Sequence, residues 1–467
     1  MGGIFGCVSK EDCVSDVFYG TDYLSHLGTK RGGMAFSNSK GFKRKIHSLE
    51  NSYFRTKFEA DLKGFSGRSG IGVISDYEDQ PILAQSHLGL FGIVTVSRIN
   101  NLEELAQEAI QSKKCFSEIG PTGINPTEVV SKLINEKDSF VEGIEYAQKR
   151  IEGSCTILLL AREGIYAARD RLGRTCLSIG ERNNACAASS EDCAFPNLGF
   201  QSIRDVGPGE IILISPDGLE RLRAPNQEMQ VCAFLWVYYG FPASSFEGIN
   251  VEEARYACGE KLALNDDVEV DCVGGVPDSG LAHAIGYANC REIPYRRPFV
   301  KYTPTWPRSF MPQEQKIRDL IAQMKLIPID RLIKQRLLFC EDSIVRGTQL
   351  KDNAKKLFEL GAKEIHMRPA CPPLIYPCEF LNFSQSRTTL DLIGRRAIEQ
   401  VVGKSHEKEV KRFTDENSEE YKQMIELIRK ELGLTSLKYQ KINDLVDSVG
   451  LPKERLCTHC WDGSSYF

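Results

Sequence analysis

The sequence has no surplus of positive charge: 59 lysines and arginines face 63 aspartates and glutamates, a net charge of −4. A protein that grips a phosphate backbone needs a cationic excess, so nucleic acid is not an expected partner. Long apolar runs are missing too. No stretch reaches the roughly 18 residues of a membrane helix, so no membrane contact is expected. The opening MGGIFGCVSKED has no basic segment followed by an apolar one. No secretion signal is therefore expected, and the chain is assigned to the cytoplasm. Gly6 stands where myristoylation of Gly2 would require Ser or Thr. Repeats and low-complexity tracts are absent.

What remains is a chain of 467 residues, 42% hydrophobic, large enough for two or three domains with real cores. Its 16 cysteines, without a secretion signal, read as free thiols plus a metal or cluster site rather than a disulfide framework. Residues 1–230 alternate short apolar runs (GIFGCVS, SCTILLL, EIILIS) with tight turns, which predicts a strand-rich domain carrying a few helices. Residues 231–400 change rhythm to strand, turn, amphipathic helix and strand, the pattern of a parallel sheet with crossover helices. Residues 401–467 read as a charged helical segment and a tail ending in CTHCWDGSSYF.

The most informative segment runs from Leu337 to Thr348. An apolar strand ends in two adjacent carboxylates, Glu341 and Asp342. A turn follows, Ser343-Ile344-Val345-Arg346-Gly347-Thr348, which opens a helix. Backbone N–H groups at such a turn cradle an anion, with the helix dipole behind them. Paired carboxylates beside an anion cradle suit the hydroxyls of a sugar carrying that phosphate. A plain helix cap by Asp342 or Ser343 is the structural alternative. Ligands of parallel sheets sit at strand carboxyl ends, where Pro277-Asp278-Ser279-Gly280 also falls.

This segment resembles the phosphoribosyl-pyrophosphate (PRPP) motif of type I phosphoribosyltransferases. With VGGVPDSG, RSFMPQEQKIRDLIAQMKLIP and GAKEIHMRPACPPLIYPC in order around it, the chain as a whole resembles the glutamine PRPP amidotransferase family. The resemblance implies an α/β and α+β protein: an Ntn-hydrolase-like αββα glutaminase-type domain, then a phosphoribosyltransferase domain. It implies that ammonia displaces pyrophosphate from PRPP, with Mg²⁺ neutralising the leaving group. Pro277 to Gly280 would bind pyrophosphate, Glu341 and Asp342 the ribose or Mg²⁺, and Ser343 to Thr348 the 5-phosphate. Arg308 and Lys325 would contact phosphate from a closing loop. The family's two aspartates appear here as Glu341-Asp342, which moves one carboxylate by about a bond length.

Cys457 and Cys460 form a Cys-x-x-Cys pair that could chelate zinc, with His459 in reserve, hold a cluster, or be buried free thiols. The resemblance adds Cys232 and Cys378 and implies a structural [4Fe-4S] cluster on the four.

The amino-terminal half departs from the family. The glutaminase nucleophile is an N-terminal cysteine whose free amine acts as base. Here that position holds Gly2, and Cys7 lies five residues further in. The segment that should clamp glutamine reads Val73-Ile74-Ser75-Asp76, the oxyanion segment reads Thr95-Val96-Ser97-Arg98, and Pro126 replaces an acid. No catalytic residue is identified in this half. The expected function is thus 5-phosphoribosylamine formation from PRPP and ammonia, free or from a partner glutaminase, with glutamine hydrolysis lost. The alternatives are a conventional glutamine-dependent enzyme, or a non-catalytic PRPP- or nucleotide-binding paralogue. Homotetramers, or mixed assembly with an active paralogue, are the assembly that the resemblance implies.

Overall fold

The computed structural model describes residues 2–39, 41–120, 123–302, 326–382, 388–403 and 407–464. The front half contains two antiparallel sheets. Strand Gly2–Ser9 lies centrally in a seven-stranded sheet, between Ala185–Ser189 and Ser69–Ser75. A six-stranded sheet has Ile165–Ala168 and Gly153–Leu160 at its centre, with Gly89–Ile99 beside the latter. Side chains alternate faces along a strand. Ile4 and Val8 therefore meet Val94, Leu158 and Ile165 of the other sheet, in one buried layer. Phe5 and Cys7 point the other way, onto the helix Val14–Asp22 and Phe54. The far face of the six-stranded sheet packs on helices Pro126–Ile134 and Phe140–Arg150 through Val129, Val130 and Ile144. The expected αββα layering is what these faces produce.

The rear half is built on a four-stranded parallel sheet in the order Cys272–Gly275, Arg336–Glu341, Glu364–Pro369, Ser436–Leu437. Leu338 and Cys340 pack toward the helices Val251–Leu264 and Gly280–Arg291. Leu337 and Phe339 pack toward Ala354, Ile393 and Ile428 on the opposite face. Both faces are buried, which is why these strands are continuously apolar rather than alternating. Each fully buried aliphatic or aromatic side chain here stabilises by about 1.5–3 kcal/mol.

The expected division at residue 400 does not mark a structural seam. Ser436–Leu437 pairs with His366 and Met367, and the helix Glu419–Leu432 packs Met424 and Ile428 into the same core as Ile365. The charged spacing of 405–450 concealed this, because only one face of that helix is apolar. Among the described residues no helix is long and apolar enough to cross a membrane.

Candidate active site and thiol centre

Two loops leave the carboxyl ends of neighbouring parallel strands and meet. The first, Val276–Ser279, joins strand Cys272–Gly275 to helix Gly280–Arg291. The second, Asp342–Gly347, joins strand Arg336–Glu341 to helix Thr348–Glu359. The strands are in parallel register, Gly275 opposite Cys340, and Val276 N–H donates to Cys340 O at 2.9 Å. Gly280 is dictated by this closeness: a Cβ there would lie 2.5 Å from Cys340 O.

Ser279 Oγ donates to Asp342 Oδ2 at 2.5 Å, and Ser343 Oγ donates to Asp342 Oδ1 at 2.5 Å. Asp342 is buried, and burial raises its carboxyl above the usual range against the pull of those hydroxyls and of the Arg255 charge. Glu341 is raised well above its usual value, first by burial and then by the neighbouring Asp342 charge. Two desolvated carboxyls side by side resist double ionisation. A polyhydroxyl or cationic partner would relieve that resistance. Gly347 opens the second helix at φ 75°, and a Cβ on it would meet Ile393 Cδ1 at 2.6 Å. Glycine is required there by backbone and packing alike. The helix then directs its free N–H groups at the loop.

The other expected residues are distributed around this core. Asp278 is exposed and ion-paired with Lys301, at the end of strand Phe299–Lys301. Ile344 is buried, and Val345 O accepts from Ile393 N–H at 2.8 Å, so these two anchor the loop. Arg346 is turned to Asp391 at 3.4 Å. Arg308 and Lys325 lie outside the described residues. Sequence reasoning missed Lys301 and Arg255. Lys301 had one available signal, a lysine closing the apolar FVK run. Arg255 had none, since its helix gives no hint that it lies near Asp342.

The four expected cysteines come together at a second place. A two-residue parallel ladder sets Cys232 opposite Cys457. Ile375 and Tyr376 N–H both donate to Cys460 O at 3.0 Å, which brings Cys378 alongside. The four thiols line one cavity with Phe234, Phe380, Leu381, Trp461 and Arg174. Leu381 N–H donates to Cys378 Sγ at 3.3 Å, and Arg174 Nη1 to Cys457 Sγ at 3.1 Å. Burial raises the Cys232 thiol, whereas a hydrogen bond with Cys460 lowers Cys378 to about 7. His459 Nδ1 sits at Ser464 O, 3.2 Å away, and does not line the cavity. Among the described residues no group of three or more His, Cys, Asp or Glu is close enough for a single metal ion. Four sulfurs around an apolar cavity, with N–H groups on sulfur, suit a body larger than one ion.

In the front half, a hydrogen-bonded polar network begins beside Gly2, at Ser75. Gly2 pairs with Ser75, and a Cβ on Gly2 would lie 2.8 Å from Ile74 O. Ser75 Oγ donates to Glu78 Oε2 at 3.3 Å, and Gln80 Nε2 donates to Glu78 Oε1 at 2.6 Å. Gln80 also accepts from Thr95 N–H at 2.7 Å, and Thr95 Oγ1 meets Thr127 Oγ1 at 2.7 Å. Burial raises Glu78 above the usual carboxyl range. Cys7 is fully buried, and the neighbouring Cys13 thiol, followed by burial, pushes its own thiol well up. A nucleophile needs the opposite environment.

A glutamine amidotransferase domain family matches residues 68–197. An amidophosphoribosyltransferase of Bacillus subtilis is 28% identical over 461 residues, covering 96% of this chain and 89% of that protein. The Methanocaldococcus jannaschii amidophosphoribosyltransferase is 28% identical, covering 99% and 97%. The structure is similar to that of glutamine PRPP amidotransferase from B. subtilis complexed with ADP and GMP. The TM-score is 0.84 at 26% identity, over 99% of this chain and 97% of that one.

Proposed function

From the premise that this chain is related to the amidophosphoribosyltransferases along nearly all of its residues, we propose that it makes 5-phosphoribosylamine from PRPP and ammonia, the step that opens purine synthesis, without hydrolysing glutamine itself. The observation that carries the reading is the Ser279–Asp342 hydrogen bond, which joins the two loops into one site. In this site Glu341 and Asp342 hold the ribose hydroxyls. The N–H groups from Ser343 to Thr348 receive the 5-phosphate at the helix end. Asp278 and Ser279 flank the pyrophosphate. The bond from the anomeric carbon to pyrophosphate breaks with its electron pair, ammonia forms the new C–N bond, and the surplus proton leaves to solvent. The buried carboxylates favour the cationic sugar between those events. Mg²⁺ bound with PRPP beside Asp278, Glu341 and Asp342 would supply Lewis-acid neutralisation of the leaving group.

Loss of glutamine hydrolysis is supported by Gly2, by burial of Cys7, and by the Ser75, Glu78, Gln80, Thr95 and Thr127 network where glutamine would bind. Cys232, Cys378, Cys457 and Cys460 would hold a [4Fe-4S] cluster whose role is to tie the two halves and the tail together. Ammonia comes from solution or from a glutaminase-bearing partner in a mixed assembly.

The test is pyrophosphate release from PRPP and Mg²⁺, with ammonium and with glutamine in parallel. Release with ammonium and none above background with glutamine is expected. Glutamate production from glutamine at a rate matching PRPP turnover would overturn the ammonia reading. Saturable PRPP binding without release would instead favour the regulatory paralogue, which Glu341 and Asp342 could equally serve.

A further inference from the structure

Residues 1–230 contribute none of the four cysteines to the thiol centre, yet they send one charged side chain there. Arg174 belongs to the turn after strand Ile165–Ala168 and is fully buried. Its Nη1 donates to Cys457 Sγ at 3.1 Å and its Nη2 to Gln230 Oε1 at 3.1 Å. Its guanidinium carbon lies 3.3 Å from the centroid of the Phe380 ring. Its own carbonyl accepts from Cys232 N–H at 3.1 Å. One residue thus touches the backbone of one thiol residue, the sulfur of a second, and the ring two residues beyond a third. Burying a guanidinium is strongly unfavourable unless negative charge faces it. Of these partners, the Cys457 sulfur carries negative charge once it is a thiolate.

We propose that Arg174 is the counter-charge of a loaded thiol centre. This rests on the cluster reading above. Four thiolates around a [4Fe-4S]²⁺ core carry a net charge of about −2, in an apolar cavity where uncompensated charge is costly. A permanent cation on one ligating sulfur offsets part of that charge, and its planar fork is pre-set to serve sulfur, amide and ring together. The centre is therefore completed by the front scaffold. Loading it fastens Arg174, and with it the front half, to the rear half and tail. Loss of the glutaminase chemistry would leave this part of the front half under full constraint.

The experiment uses the full chain, purified without oxygen. Iron and labile sulfide per chain are measured first, then the rate at which a chelator removes iron, for wild type, Arg174→Lys and Arg174→Met. Removal is expected to be about tenfold faster or more in Arg174→Met, the scale seen for partners of metal ligands. Arg174→Lys, which keeps the charge but not the fork, should stay within a few-fold of wild type. Equal removal rates for Arg174→Met and wild type would overturn the proposal. So would Arg174→Lys losing iron as fast as Arg174→Met, because shape rather than charge would then be at work. If Arg174→Met does not fold, Arg174→Gln takes its place under the same criteria. Iron-free wild type would overturn the cluster reading and this inference together. Iron-loaded wild type with an unaffected Arg174→Met overturns this inference alone.

Discussion

The two halves of this molecule have kept different things. In the rear half, loop sequence and loop geometry agree: Ser279 and Asp342 are hydrogen-bonded, and Gly280 and Gly347 sit where any side chain would collide. In the front half, the layers are present, Gly2 begins the first strand, and a polar network runs beside it through Glu78, Gln80, Thr95 and Thr127. A scaffold survives on apolar periodicity, which tolerates many exchanges of similar volume. A site survives only on particular atoms, and one lost thiol ends covalent catalysis. A fold can therefore outlast an activity, and similarity over a whole chain reports mainly the fold.

The sharpest way to break this comparison is at Asp342. Asp342→Ala should lower ammonium-dependent PRPP turnover by about a hundredfold or more, the scale for removing a preorganised electrostatic group. Melting temperature measured alongside should show the protein still folded. Turnover within a few-fold of wild type would mean that the two joined loops are not the site. At the front, Gly2→Cys restores the missing thiol but should produce no glutamate from glutamine. It should also destabilise the protein by about 1–3 kcal/mol, because its Cβ would press on Ile74 O, 2.8 Å away. Glutaminase activity in this variant would show that residue 2 alone, and not the neighbouring polar network, separates the halves.

The smallest expected effect concerns pH. Burial raises the carboxyls of Glu341 and Asp342, so the native state keeps protons that the unfolded state has already released. This pair's contribution to stability is thus fully present in acid and falls as pH rises upward from the ordinary carboxylate range. Glu341→Gln should flatten that decline in a melting-temperature profile recorded without substrate. An unchanged slope would show that the pair is not strained when empty.

Much of the rear site was legible in the sequence because its parts are contiguous. Strand, acids, turn and helix follow one another from Leu337 to Thr348, and the βαβ rhythm places the Asp278 turn at the same sheet edge. The Cys457–Cys460 spacing was legible for the same reason. The partners of these segments were not. Lys301 beside Asp278, Arg255 near Asp342 and Arg174 on Cys457 are ordinary basic residues until the chain brings them in. Likewise, Glu78 and Gln80 look like surface residues in the string SDYEDQP, yet they form the polar network beside Gly2.

Local order by itself determined the layers, the acid-bearing loop and the absence of a nucleophile at residue 2, since each depends on period or on a residue's presence. Only the tertiary structure decided that Ser436–Leu437 completes the parallel sheet, that four distant cysteines share one cavity, and that a buried arginine reaches it from the other half. The physical reason is that charge compensation and hydrogen bonding act through space over a few ångströms, while the residues that meet there are up to 283 positions apart in the chain.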